Sequence, residues 1–158
     1  MNTVLITSAI YTNYGVYDTA QRIQQTLDTI KSARQYIPDA VIILIDNSKV
    51  DVQSDDTAEF NALLDAVDYY IDNSSDSDIQ YFHNNVENYD VGKNSMECLG
   101  MIKALAHCAT DPELLKIIQS SDRVYKLSGR YLVTDEFDIK QFDNKKTKGK
   151  FVFKKRHP

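Results

Sequence analysis

The sequence predicts an α/β domain, in which a mostly parallel, twisted sheet has helices packed on both faces. Residues 4–8 and 41–45 are runs rich in β-branched and aliphatic side chains, typical of strands buried on both faces. Between them, apolar side chains recur at three- and four-residue spacing, as on the inner face of a helix. Strands that alternate with helices in this way usually form parallel sheets.

The same alternation continues along the chain. We expect the first helix to begin at Asp18 or Thr19 and to end near Tyr36, before Pro38. Asp111 followed by Pro112 is typical of a helix start, and predicts a helix over residues 113–119. The other expected elements are a helix at 58–67, short strands at 69–71 and 79–82, a helix from 94 or 95 to about 108, a strand at 123–127 and a last strand at 151–153.

The helix expected from 94 or 95 to about 108 has an apolar face of its own. Met96 or Leu99, with Ile102, Leu105 and Ala106, is expected to face the core.

Length and charge divide the chain into one domain, residues 1–144, and a basic segment, residues 145–158. All 23 acidic residues lie in the first part, which carries a net charge of about −12, whereas the last segment holds seven Lys or Arg and no acid. An acidic body repels phosphate backbones, so nucleic acid is not the expected ligand. We expect the basic segment to be solvated, with weak contact to an anionic membrane surface as the alternative.

Cysteine use and hydropathy indicate a cytoplasmic protein. Cys98 and Cys108 are the two cysteines, and ten residues of helix would separate them by about 15 Å, too far for a disulfide. The first ten residues lack the basic start and apolar core of a signal peptide. No window approaches 18 apolar residues, so we expect no transmembrane segment.

Polar groups follow two of the predicted strands. Asp46-Asn47-Ser48 ends the second strand, and Ser128-Gly129-Arg130 ends the strand that carries Lys126. Open α/β sheets bind ligands at such strand ends, and two cations beside a glycine suit a phosphate-bearing ligand. The alternatives are a plain turn after the second strand, and ion pairs of Lys126 and Arg130 with nearby carboxylates such as Asp135 or Glu136.

Lys93 is a third candidate phosphate ligand. We expect it at the start of a helix, where the unpaired N–H groups disfavour a cation unless an anion is bound. An ion pair with Glu97, one turn further on, is the alternative.

These motifs, in this order, resemble the nucleotide-sugar glycosyltransferases of the GT-A fold. The segment ILIDNSKVD is similar to their second strand, Gly92-Lys93-Asn94 to their helix start near the diphosphate, and residues 122–131 stand where that family has its metal-binding Asp-x-Asp. The form Lys-x-Ser-Gly-Arg-Tyr resembles a glycosyltransferase-like group found among surface-polysaccharide proteins. The resemblance covers residues 3–135.

The resemblance implies transfer of a sugar from a nucleotide-sugar donor to a glycan or other acceptor, in polysaccharide biosynthesis. Ser8, Ala9, Ile10, Tyr11 and Asp46 would then hold the nucleoside. Lys93, Lys126 and Arg130 would face the diphosphate, with Ser128 beside them and Gly129 allowing close backbone approach.

The chain departs from the family at the metal site. Ser128-Gly129-Arg130 replaces the Asp-x-Asp that would hold Mn²⁺ or Mg²⁺. Either Lys126 and Arg130 act as fixed cations and transfer is metal-independent, or the site has lost catalysis. A divalent ion, Mn²⁺ or Mg²⁺, stays open as a cofactor. The literal Asp76-Ser77-Asp78 is expected in a solvated loop.

The catalytic base and the overall length leave alternatives open. Asp135 and Glu136 are the nearest carboxylates that could act as a base. The chain is short for this fold, so we expect a compact or truncated member, or else a non-catalytic nucleotide-binding, sugar-binding or scaffolding domain.

Overall fold

The carboxyl ends of four parallel strands form one edge of the molecule. The computed structural model describes residues 1–49, 58–142, 146–147, 149–150 and 152. Its strands are β1 (Asn2–Ser8), β2 (Ala40–Asp46), β3 (Tyr69–Asp72) and β4 (Arg123–Ser128), paired in the order β3-β2-β1-β4. Ser8 lies beside Asp46, and Thr7 beside Ser128. The register thus brings the polar ends of β1, β2 and β4 together.

In the described part of the chain five helices accompany the strands, and side-chain caps define where most of them begin. Asp18 caps α1 through a reciprocal capping box with Gln21. Asp111 caps α5 by accepting the N–H groups of Glu113 and Leu114. The helices are α1 (Thr19–Tyr36), α2 (Ala58–Asp65), α3 (Ser77–Asn85), α4 (Tyr89–Thr110) and α5 (Pro112–Ser120), and a 3-10 turn covers Ile139–Phe142.

The core lies on both faces of the sheet, because successive strand residues point to opposite sides. Val4, Ile6, Ile42 and Leu44 pack against α1 and α2, while Leu5, Ile43 and Ile45 pack against α4 and α5. The predicted α/β class, with a parallel sheet and helices on both faces, is therefore confirmed.

The predicted strand at 79–82 is wrong. These residues lie within α3, which begins because the Asp76 carboxylate accepts the N–H groups of Asp78 and Ile79 at 2.9 and 3.2 Å. Asp76 and Asp78 both form ion pairs with Lys103 of α4. The Asp76-Ser77-Asp78 segment is therefore a helix start held to a neighbouring helix, where the sequence predicted a solvated loop.

Helix α4 begins earlier than predicted, and its inner face agrees with the prediction at Met96 but differs further along the helix. Asn88 caps it, so that Lys93 lies a full turn inside the helix. The buried positions are the small residues Gly92, Gly100 and Ala104, with Met96 and Cys108. Ile102 and Leu105 are 64% and 45% exposed, and Ala106 is also exposed. Small side chains let the helix approach the sheet closely, which the apolar spacing did not reveal.

Two further expectations concern a last strand at 151–153 and transmembrane segments. The strand expected at 151–153 lies outside the described residues, apart from Val152. No helix in the described ranges combines the length and apolarity that crossing a bilayer requires.

Candidate functional site

A cleft opens at the carboxyl ends of β1 and β4. Strand β1 lies between β2 and β4, so the chain leaves β1 toward one side of the sheet and reaches β4 on the other. This is the topological switch point at which open α/β sheets bind ligands. The cleft encloses about 630 Å³ including its open mouth. Its walls are Thr7, Ser8, Ala9, Thr12, Tyr14, Arg22, Thr26, Asn47, Tyr89, Lys93, Met96, Glu97, Ser128, Gly129 and Arg130.

The floor of the cleft is fixed by Asp46, which does not line the cavity. Its buried carboxylate accepts the Ile10 N–H at 3.0 Å and the Ser48 hydroxyl. Ser48 in turn accepts the Tyr11 N–H at 2.9 Å. Burial raises the pKa of Asp46, although the hydrogen bonds from Ser48 and Ile10 oppose the rise. Asp46, Ile10 and Tyr11 therefore shape the loop after β1 from beneath.

Arg22, which the sequence did not single out, holds that loop from the side of α1. Its guanidinium donates to the carbonyls of Ala9, Tyr14 and Tyr17, at 3.3, 2.5 and 3.0 Å. Burial, with the charge of Arg130 close by, lowers the pKa of Arg22. Two guanidinium groups thus share one cleft, an arrangement that an anion would stabilise.

Arg130 is the cation of the cleft that is most available to a ligand. It is half-buried, and it makes no hydrogen bond or ion pair with any residue in the described ranges. The alternative in which Asp135 or Glu136 neutralises it is therefore not observed. Both of those carboxylates are exposed and lie outside the cleft wall.

Lys126, by contrast, is paired. Its ammonium bonds to Glu97 of α4, which also accepts the Thr7 hydroxyl at 3.0 Å. Burial of Glu97 disfavours its charged form, but Lys126, Thr7 and Lys93 outweigh burial and lower the pKa of this carboxyl. Lys126 is exposed and lies outside the wall of the cleft.

Lys93 remains inside the cleft and lies 5.8 Å from the centre of the Tyr89 ring. The ion pair with Glu97 that the sequence offered as an alternative is made by Lys126 instead.

Gly129 keeps the turn after β4 tight against β1 and α1. Its N–H donates to the Thr7 carbonyl at 2.8 Å, and a Cβ there would lie 2.9 Å from the Thr26 hydroxyl. The close approach that this glycine allows is therefore to the protein's own backbone and helix, while Ser128, Gly129 and Arg130 all line the cleft.

Asn47 links the cleft to the core. Its side chain accepts from Asn73 at 2.9 Å and donates to the Met96 carbonyl at 3.3 Å, beneath α4. The polar segment Asp46-Asn47-Ser48 indicated that ligand-binding side chains follow β2, but the sequence singled out Asp46 rather than Asn47 as the ligand-binding residue. Arg22 had no such signal, because its partners are backbone carbonyls.

A divalent ion does not fit this cleft. Mn²⁺ and Mg²⁺ prefer several oxygen ligands, usually with more than one carboxylate. Among the described wall residues Glu97 is the one carboxylate, and Lys126 and Thr7 already occupy it. No group of three metal-binding side chains occurs in the described ranges.

Comparison with known proteins adds no assignment. No protein-family model, no curated protein and no solved structure matches this chain. Function is therefore argued from the cleft alone.

The Glu97 pair makes stability depend on pH. The folded pKa of Glu97 lies below its ordinary value of 4.5, so the pair's contribution is present above that value and is lost as pH falls through the folded pKa. Both groups are partly exposed, so we expect Glu97→Gln to lower the free energy of unfolding by only about 1 kcal/mol at pH 7.

Urea unfolding between pH 7 and pH 3 measures this. The difference between wild type and Glu97→Gln should shrink as pH falls below 4.5, while Glu59→Gln, on the exposed side of α2, should match wild type throughout. A difference that stays constant, or grows, as pH falls would contradict the assignment.

Proposed function

We propose that this chain binds a nucleotide-sugar in the cleft and transfers the sugar to a second molecule, as the GT-A resemblance implies. The observation that carries the proposal is Arg130, a half-buried guanidinium in the cleft at the switch point, without a carboxylate partner among the described residues. A cation kept partly from solvent and left unpaired favours an anionic ligand.

The excess of positive charge in the cleft favours binding of a diphosphate. Arg22, Lys93 and Arg130 face the cavity, and the charge of Glu97 is already compensated by Lys126. A planar guanidinium binds two phosphate oxygens at once, and an ammonium adds a second point of attachment.

The same cations would stabilise the leaving group. When the bond between the sugar's anomeric carbon and the phosphate oxygen breaks, negative charge develops on the diphosphate. The anomeric carbon bonds to an acceptor hydroxyl oxygen, whose proton passes to the departing diphosphate or to water. Fixed cations placed at that charge lower the barrier without a metal ion. Transfer would then be metal-independent, in agreement with the donor set of the cleft.

Arg130→Ala tests the binding step. Loss of charge-assisted hydrogen bonds worth about 1.5 to 3 kcal/mol should weaken affinity roughly 10- to 100-fold. Calorimetry with UDP-, GDP-, CMP- and dTDP-sugars, with and without Mn²⁺, gives the affinities. Arg34→Ala is the matched control, since Arg34 pairs with Asp68 beyond the far end of the sheet.

Unchanged affinity in Arg130→Ala would refute the phosphate role. Binding that appears only with Mn²⁺ would refute metal independence but not the site.

A non-catalytic binding protein is the second candidate, and one observation favours it. Asp135 and Glu136 are exposed and outside the cleft, and Glu97 is engaged, so no described carboxylate is poised to act as a base. Chromatography of a bound nucleotide-sugar separates the two candidates: slow release of free sugar indicates a transferase, while an intact donor after long incubation indicates a binder.

A further inference from the structure

A second cleft adjoins the first, on the other side of Tyr14 and Tyr89. It lies between the loop after β1 and the end of α3, and both tyrosines also line the first cleft. Its remaining walls are Asn13, Gly15, His83, Asn84, Asn85, Val86 and Glu87. The nucleotide-sugar proposal makes no use of this space.

The chemistry of its walls differs from that of the first cleft. None of the described residues that line it is a lysine or arginine, and Glu87 gives it a negative charge. The side chains of Asn13 and Asn84 make no hydrogen bond within the described ranges. Amides that offer both donors and acceptors, with no cation, suit a neutral ligand and disfavour a phosphate.

Aromatic rings form the wall between the two clefts. Tyr14 lies 6.0 Å from the His83 ring and 6.2 Å from the Tyr89 ring, centre to centre. The Tyr14 hydroxyl is held by the Phe82 carbonyl at 2.7 Å, which fixes its ring in place. Ring faces beside free amides match a ligand with both C–H surface and hydroxyl groups.

His83 contributes a buried hydrogen-bond acceptor, Nδ1, that has no donor among the described residues. Its Nε2 lies 2.8 Å from the Asn47 carbonyl; because a carbonyl only accepts, Nε2 carries the proton. Burial lowers the pKa of His83, which keeps the ring neutral and leaves Nδ1 as an acceptor. His83 is 5% exposed, and Nδ1 has no hydrogen-bond partner among the described residues. Buried acceptors of this kind are rarely left unsatisfied.

We propose that the second cleft is a binding site for a neutral, polyhydroxylated ligand, that is, a carbohydrate. Its hydroxyls would pair with the exposed amides of Asn13 and Asn84. A small movement of the cleft wall would let one of them donate to the His83 Nδ1, which is covered in this structure. The C–H face of the ring would lie against Tyr14 or Tyr89. The site does not depend on the nucleotide-sugar proposal, because its walls hold none of the cations on which that proposal rests.

Side-chain NMR of the full ¹⁵N-labelled chain tests the proposal with two neutral disaccharides, cellobiose and N,N′-diacetylchitobiose, titrated to about 50 mM. We expect at least one of them to shift the side-chain amide signals of Asn13 and Asn84 and the ring nitrogens of His83. Asn84→Ala should weaken binding about three- to tenfold through loss of hydrogen bonds. Asn61→Ala, an exposed amide on α2, is the matched control and should leave it unchanged.

Three results would overturn the proposal: no shift with either disaccharide, shifts that Asn84→Ala leaves intact, or equal shifts with N-acetylglycinamide, which would indicate a peptide-like ligand. Arg130→Ala separates the two sites. It should leave disaccharide binding unchanged, so failure of the nucleotide-sugar proposal would not remove this one, nor the reverse.

Discussion

Replacing Gly100 by alanine is expected to lower the free energy of unfolding by about 3 kcal/mol. Alanine is intrinsically about 1 kcal/mol better than glycine inside a helix, so without a clash the change would stabilise α4. Here a Cβ would lie 2.1 to 2.5 Å from the Asn47 side chain, which is itself buried. Moving Asn47 would break its bond to Asn73, and Asn73 also donates to the Gly100 carbonyl at 3.1 Å. The clash with Asn47 therefore outweighs the helix propensity of alanine, and the substitution lowers the free energy of unfolding.

Urea unfolding measures the loss, and a double-mutant cycle identifies its cause. If the clash with Asn47 is responsible, Gly100→Ala should cost much less in an Asn47→Ala background than in wild type. Equal cost in both backgrounds would contradict this account. Because Asn47 also lines the cleft, Gly100→Ala should weaken ligand binding as well.

Replacing Asp46 by alanine is the second large expected effect, about 3 kcal/mol near pH 5. The change removes the acceptor of the Ile10 N–H and of the Ser48 hydroxyl, both buried, and leaves a cavity. Asp72→Ala is the matched control. Asp72 stands beside Asp46 at the end of β3 but is exposed, so its loss should cost no more than about 1 kcal/mol.

The effect of Asp46→Ala should shrink as pH rises. The folded pKa of Asp46 lies above its ordinary value of 3.8, so the stability linked to its proton is present below that value and is lost as pH rises through the folded pKa. The variant has no such group. Unfolding measured at pH 5 and pH 8 should therefore give a smaller difference from wild type at pH 8, and a larger one would contradict the buried position of this carboxyl.

Strands β1 and β2 could be predicted from the sequence because each is a continuous run of mainly apolar residues. Buried parallel strands must be apolar on both faces, and the runs at 4–8 and 41–45 are too short for buried helices. The caps at Asp18 and Asp111 are equally local, since each side chain bonds N–H groups two or three residues away.

Helices α3 and α4 were predicted less well, for a physical reason. The cap at Asp76 is as local as those at Asp18 and Asp111 and was overlooked, whereas the Lys103 contact that holds this turn to α4 comes from 27 residues away and no local pattern shows it. The inner face of α4 was misassigned because Gly100 and Ala104 face the sheet while Ile102 faces solvent. Apolar spacing finds the most hydrophobic stripe, whereas close packing against a polar network selects the smallest side chains.

The candidate site residues also form two groups, those that line the cleft and those that lie beneath or beside it. Sequence alone placed Ser8, Ala9, Lys93, Ser128, Gly129 and Arg130 among the donor-binding candidates, and these residues line one cleft. It also named Asp46 and Lys126, which the fold uses beneath and beside that cleft.

The amino-acid sequence by itself determined the α/β class and the polar strand ends, because both depend on residues that are adjacent in the chain. Only the tertiary structure decided which cations remain unpaired, and it placed Arg22 at the first cleft and formed a second cleft, without cations in its described walls, behind Tyr14. Those properties depend on contacts between residues far apart in sequence: Glu97 is 29 residues from Lys126, and His83 is 36 from Asn47. Charge pairing and burial are set by three-dimensional neighbours, which spacing along the chain does not specify.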